Sequence, residues 1–140
     1  MININKIVVA VKGVIFNHGK VLIIKRNENN DVGGGTWECV GGKIEFGEDL
    51  EAALVRETNE EVGLDITVEN ILYATTFLTD STRQVVILTY LCRSNKCDVV
   101  LSEEHTEYKW ATKDQLKNLL FIDIINDFEK NNVFSMEELL

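Results

Sequence analysis

With 140 residues, 45% of them hydrophobic and 26% charged, the chain has the size and composition of one ordinary globular domain, and a single domain over residues 1–140 is expected. A formal charge of −9 and a pI near 4.7 argue against a duplex nucleic-acid partner, which is bound by net positive surfaces. No apolar run approaches the roughly 20 residues of a membrane span, and residues 1–13 lack the basic start and small-residue cleavage site of a secretory signal, so a soluble cytoplasmic protein is expected.

Lys6 to Phe16 and Lys20 to Lys25 are rich in Val and Ile and flank Asn17-His18-Gly19, the signature of a β-hairpin. Arg26 to Thr36 reads as a polar, glycine-rich loop, and Trp37 to Val40 as a short strand running into Gly41-Gly42. Asp49 to Val62 carries good helix formers and stops at Gly63, the residue type expected just past a helix C-terminus. Ile66 to Thr79 and Gln84 to Arg93 form a second hairpin around Asp80-Ser81-Thr82, and Glu107 to Ala111 is a further strand. Thr112 to Gln115 fits a capping box opening a helix to about Leu120, and a last helix spans Ile122 to Lys130. These elements share one core as a mixed α/β sandwich. The cysteines, Cys39, Cys92 and Cys97, are odd in number and lack a CxxC spacing, which favours idle thiols over a disulfide or zinc framework.

The run Gly42 to Leu64, GKIEFGEDLEAALVRETNEEVGL, is unusually acidic for its length. At about 100° per residue from Leu50, Glu57 falls near 340°, Glu60 near 280° and Glu61 near 20°, the arc that Leu50 and Leu54 turn toward the protein. Carboxylates three and four residues apart repel, and negative charge near a helix C-terminus opposes the macrodipole by about 0.3 to 1 kcal/mol each. Folding alone does not favour this arrangement, whereas a hard divalent cation removes both penalties. The competing reading is a solvated acidic face. Gly41 and Gly42 allow a tight loop whose carbonyls reach an ion, and Arg56 either pairs with Glu48 or lies on the surface.

On these residues the run resembles the Nudix hydrolase box, G-x5-E-x7-R-E-U-x-E-E-x-G-U with U aliphatic: Gly42, Glu48, Arg56, Glu57, Glu60, Glu61, Gly63 and Leu64 all match. Thr58 departs at the first U, with only a packing difference expected. Lys20 to Arg26 is similar to the family's early strand, Trp37 to Lys43 to its approach to the box, with Val40 for the usual proline, and Glu103 to Leu116 to its acidic loop, tryptophan strand and closing helix.

The resemblance implies an α/β/α Nudix sandwich with a mixed sheet, a central catalytic helix and C-terminal helices, and a MutT-like enzyme that hydrolyses a nucleoside diphosphate linked to another moiety. It implies Glu57, Glu60 and Glu61, with the Gly42 carbonyl, as ligands of Mg²⁺, Mn²⁺ being the alternative. Arg56 belongs to the same catalytic set. Glu104 stands where some relatives place a further metal ligand or general base, with Glu103 as competitor. Arg26 and Lys43 are phosphate contacts or surface charge. Phe77, Tyr73 and Tyr108 are base-stacking candidates or core residues. The chain has no proline at all, hence not the downstream proline common in relatives acting on ADP-ribose, and no tyrosine at the spacing common in dinucleoside polyphosphate relatives. A nucleoside or deoxynucleoside triphosphate, cut to monophosphate and pyrophosphate, is the substrate expected. The rivals are another nucleoside diphosphate derivative such as ADP-ribose or a dinucleoside polyphosphate, a non-catalytic nucleotide sensor, a calcium module, and an isopentenyl diphosphate isomerase, which needs a catalytic cysteine. The oligomeric state is open, a homodimer included.

Overall fold

Alternation along β-strands divides the apolar residues into two sets, and the computed structural model, which describes residues 4–29 and 33–139, places them on the two faces of one sheet. Lys6–Asn17 (β1) and Lys20–Arg26 (β2) form the expected hairpin. His18 and Gly19 turn it with φ of 50° and 76°, the left-handed pair that a two-residue turn requires. Residues 30–32 of the glycine-rich loop lie outside the described residues. The stretch expected as one strand from Trp37 to Val40 is two, Trp37–Glu38 (β3) and Val40–Lys43 (β4). They separate at Cys39 because β3 pairs with β2 while β4 crosses to pair with β1.

The central helix is Leu50–Val62 (α1), followed by Thr67–Asp80 (β5), Arg83–Arg93 (β6) and His105–Ala111 (β7). Lys113–Leu119 (α2) opens on the capping box that the sequence promised, with Thr112 and Gln115 bonding reciprocally. Ile122–Lys130 (α3) follows, and the short 3₁₀ turns Val133–Ser135 and Glu137–Leu139, absent from the sequence reading, close the chain.

The seven strands form a mixed sheet of order β3-β2-β1-β6-β5, with β4 on β1 and β7 on β2. β1 and β6 run parallel in continuous register from Lys6↔Arg83 to Phe16↔Arg93. In β2, Leu22 and Ile24 face α1 together with Val11, Ile15, Ala53, Leu54 and Val62. Val21 and Ile23 face the opposite way, into a second core with Val14, Phe16, Leu116, Phe128 and Phe134. Phe128 anchors this side, edge-on to both Tyr73 and Phe134. Fully burying each such side chain contributes about 1.5 to 3 kcal/mol. The second core stops short of the start of β1, so part of that sheet face is left open. No helix among the described residues is long and apolar enough to cross a membrane.

Candidate active site

The acidic run is held in place from both ends of α1. At its C-terminus Gly63 adopts the left-handed conformation, φ 70°, and its N–H bonds the Asn59 carbonyl at 3.0 Å. The carbonyls of Glu61 and Val62, which have no helical partner, accept from Ser102 and Val100 at 2.9 and 3.0 Å. The loop before β7 is thereby tied to the end of the glutamate helix. Thr58, the departure from the box, is fully buried and donates its hydroxyl to the Leu54 carbonyl at 2.7 Å, so the packing difference is absorbed without an unpaired polar atom.

At the N-terminal end Arg56 grips Glu48 with both Nε, 2.7 Å, and NH2, 2.9 Å. It also donates to Glu57 and Glu60, each at 3.2 Å, and to the Lys43 carbonyl at 3.2 Å. The Arg56 hydrogen bond, with a further one from the Glu45 N–H, lowers Glu48 to about 2. The alternative of a plain surface arginine is set aside by these contacts.

The three box glutamates are not equivalent. The Glu60 side chain is 59% exposed, at the rim, whereas Glu57 is 17% and Glu61 10% exposed. Burial pushes the proton affinity of both Glu57 and Glu61 upward, only partly offset by Arg56 at the first and Lys12 at the second. Glu57 lies directly over Gly42: a β-carbon there would stand 2.5 Å from its Oε2. Glu61 Oε1 accepts the Gly41 N–H at 2.9 Å, and Gly41 has φ 148° with no room for a β-carbon against the Val11 carbonyl.

Beneath these glutamates lies a charged network that sequence reasoning missed. Lys12 donates to Glu38 at 2.8 Å, Arg26 to the same carboxylate at 3.0 Å, and His105 Nε2 sits 3.3 Å from its Oε2. Burial alone would raise Glu38, but Lys12, His105 and Arg26 together hold it well below the usual carboxylate range. Lys12, against its own burial, is raised by Glu38 and Glu61. A signal was present: alternation puts Lys12 in line with Ala10 and Val14 on a buried face, and lysine is buried there only when paired. Burial raises the Cys39 and Cys92 thiols to about 12, which leaves them inert.

Glu57, Glu60 and Glu61 open onto a cleft of about 1500 Å³ that crosses the uncovered sheet face to α3. Arg26, Lys43, Glu104 and Phe77 line it too, Phe77 with 46% of its surface exposed. Arg26 is the less available of the two cations, because its guanidinium already binds Glu38. Tyr73 reaches the cleft wall but is 9% exposed and packed in the second core. Tyr108 is exposed on β7 and is not among the cleft residues, so the structure does not bring it to the others. Among the described residues, the buried polar side-chain atoms without a partner are Arg26 Nε, Ser102 Oγ and His105 Nδ1. All three belong to residues around the glutamates. Ligand atoms of Glu61, Glu104 and His105 lie within 4.8 Å of one another. Buried carboxylates with raised proton affinity, a glycine cradle and the orphaned Ser102 hydroxyl and His105 nitrogen fit a divalent cation at this end of the cleft.

A site of this kind, on this sheet, has known counterparts. The model of the NUDIX domain matches residues 6–129. A MutT-like protein of Streptomyces ambofaciens is 33% identical over 109 residues, 77% of this chain and 66% of that one. Nucleoside triphosphatase NudI of Enterobacter sp. (strain 638) is 33% identical over 116 residues, 76% of this chain and 82% of that one. The crystal structure of the MutT protein from Methanosarcina mazei Go1 superposes with a TM-score of 0.84 at 26% identity, covering 95% of this chain and 98% of that one. The chain belongs to the NUDIX family and is a hydrolase acting on nucleotide pyrophosphates.

Proposed function

We propose that the enzyme is a Mg²⁺-dependent hydrolase of (deoxy)nucleoside triphosphates that releases the monophosphate and pyrophosphate. The observation that carries this reading is the layout of the cleft, with the glutamates at one end and the exposed ring of Phe77 on the wall. A triphosphate directed at the glutamates leaves its base to stack on such a ring. The names of the relatives, a nucleoside triphosphatase and MutT-like proteins, point the same way.

In this reading Glu57, Glu61 and the Gly42 carbonyl hold Mg²⁺, with Glu60 at the rim. The ion supplies charge neutralisation for the non-bridging phosphate oxygens. Water attacks a phosphorus of the anhydride, the phosphorus–oxygen bond to pyrophosphate breaks, and the water proton passes to a carboxylate. Glu57 is assigned that task in this reading. Glu104 is the alternative acceptor, in the loop tied to the end of α1. Arg56 keeps Glu57 and Glu60 from spreading apart, and Lys43 and Arg26 offer positive charge to the phosphates.

The test is a panel of unmodified and oxidised nucleoside triphosphates, ADP-ribose and dinucleoside polyphosphates, with pyrophosphate and phosphate release measured separately in Mg²⁺ and Mn²⁺. Pyrophosphate release from a triphosphate at the highest kcat/KM is expected. Preferential cleavage of ADP-ribose or a dinucleoside polyphosphate would replace the substrate, and binding without turnover of anything would make the chain a sensor.

A further inference from the structure

His105 is a buried group near the glutamates that the hydrolytic reading leaves without work. Its side chain is 1% exposed, and Nδ1 has no hydrogen-bond partner among the described residues. An imidazole nitrogen sealed from water and left unpaired costs about 1 to 3 kcal/mol, so the position calls for an occupant.

The surroundings decide which nitrogen carries the proton. Nε2 faces Glu38 Oε2 at 3.3 Å, and Glu38 is kept ionised by Lys12 and Arg26. An ionised carboxylate only accepts, so the neutral ring places its hydrogen on Nε2 and leaves the Nδ1 lone pair bare. Nδ1 lies 4.0 Å from Glu61 Oε2. Two electron-rich atoms thus face each other across a gap that no hydrogen bond bridges. The opposite oxygen, Glu61 Oε1, is held by the Gly41 N–H at 2.9 Å, which keeps Oε2 turned to the gap. One ligand atom from each of Glu61, Glu104 and His105 lies within 4.8 Å of the other two. Ligands about 2.1 Å from one ion stand roughly 3 to 4.2 Å apart, so small side-chain movements would close this set on a cation.

We propose that His105 Nδ1 is a nitrogen ligand of a divalent cation bound jointly with Glu61 and Glu104. The carboxylate of Glu38 behind the ring is the arrangement that orients ligating histidines and raises their basicity. A nitrogen in an otherwise oxygen donor set strengthens binding of borderline cations such as Zn²⁺ and Co²⁺ more than that of Mg²⁺. This inference rests on Glu61 being a metal ligand, as proposed above, and adds a nitrogen donor that narrows the margin between Mg²⁺ and Zn²⁺ at that site.

The chain contains two histidines, and the other, His18, is exposed on the β1–β2 turn, a built-in reference. Protein labelled with ¹⁵N-histidine is titrated with cadmium-113. The expected result is a one-bond cadmium–nitrogen splitting at His105 Nδ1, with Nε2 still protonated and His18 unsplit. Binding of Cd²⁺ seen by calorimetry with no splitting at His105 overturns the proposal while leaving the glutamate metal site standing. Failure of Cd²⁺, Zn²⁺ and Mg²⁺ alike to bind overturns both. In a second arm His105→Gln is expected to weaken Zn²⁺ by at least about tenfold and Mg²⁺ by less than about threefold. Equal weakening of the two metals in a folded variant would assign His105 a packing role only.

Discussion

Arg56 and Glu48 face each other as a two-pronged pair, Nε and NH2 of the arginine at 2.7 and 2.9 Å from the two carboxylate oxygens. Eight residues apart in sequence, they bind the turn ahead of α1 to its middle. The same guanidinium reaches Glu57, Glu60 and the Lys43 carbonyl. Arg56→Ala should therefore cost about 1 to 3 kcal/mol of stability, the range for charge-assisted hydrogen bonds, and about a hundredfold in kcat/KM through misplaced glutamates. Arg56→Lys keeps the charge without the fork and should fall between. Urea denaturation and steady-state kinetics on the three proteins check this.

Acid should weaken the fold through the same pair. Glu48 falls from an ordinary 4.5 to about 2 in the folded protein, so its contribution is complete above pH 4.5 and is lost as pH drops toward 2. Melting temperatures of wild type and Glu48→Gln should converge as pH falls through that window. A constant gap between the two curves would detach the stability effect from ionisation.

Glu57→Gln and Glu61→Gln should each reduce kcat by two or more orders of magnitude, about 3 kcal/mol or more of transition-state stabilisation. Neither should destabilise the metal-free protein, since each removes a carboxylate that burial disfavours in its charged form. Wild type should gain thermal stability on adding Mg²⁺, by the mass-action relation for a ligand of the native state, and lose it in chelator. Glu61→Gln should show little of that gain.

Gly42→Ala tests the cradle. Its backbone accepts alanine, but the new β-carbon would stand 2.5 Å from Glu57 Oε2 and push the carboxylate aside. A loss of about a hundredfold in kcat/KM with the fold intact by circular dichroism is expected.

Phe77→Ala should raise KM roughly tenfold with a smaller change in kcat, the loss of one stacked base being worth about 1 to 3 kcal/mol. Tyr108→Ala, outside the cleft, should leave both constants near wild type. The opposite pattern would move the base to the β7 side.

The hairpins, α1 and the capping-box helix were legible because their signals are local: alternation in β2, the Asn17-His18-Gly19 turn, Gly63 after a run of helix formers, Thr112 with Gln115. The box glutamates were legible because their spacing is a property of one helix. Lys12, Glu38 and His105 were not, because they meet only after β1, β3 and β7 have taken their places beside β2 and β4, at separations of 26 and 67 residues. The helical wheel placed Glu60 with Glu57 and Glu61, but the wheel has no neighbours in it, and the fold leaves Glu60 at the rim. The parallel pairing of β1 with β6, which joins strands from the two halves of the chain into one sheet, carries no local signal either.

The bonds from Ser102 and Val100 to the end of α1 separate the molecule into parts with different freedom to change. Helix, loop and β4 form one clasp around the glutamates, and a substitution in any of them is felt by the other two. The opposite wall of the cleft is contributed by β5, β6 and α3. Residues around Phe77 and α3 line the cleft without belonging to that clasp, so substitutions there should change which molecules are accepted more than how their bonds are broken.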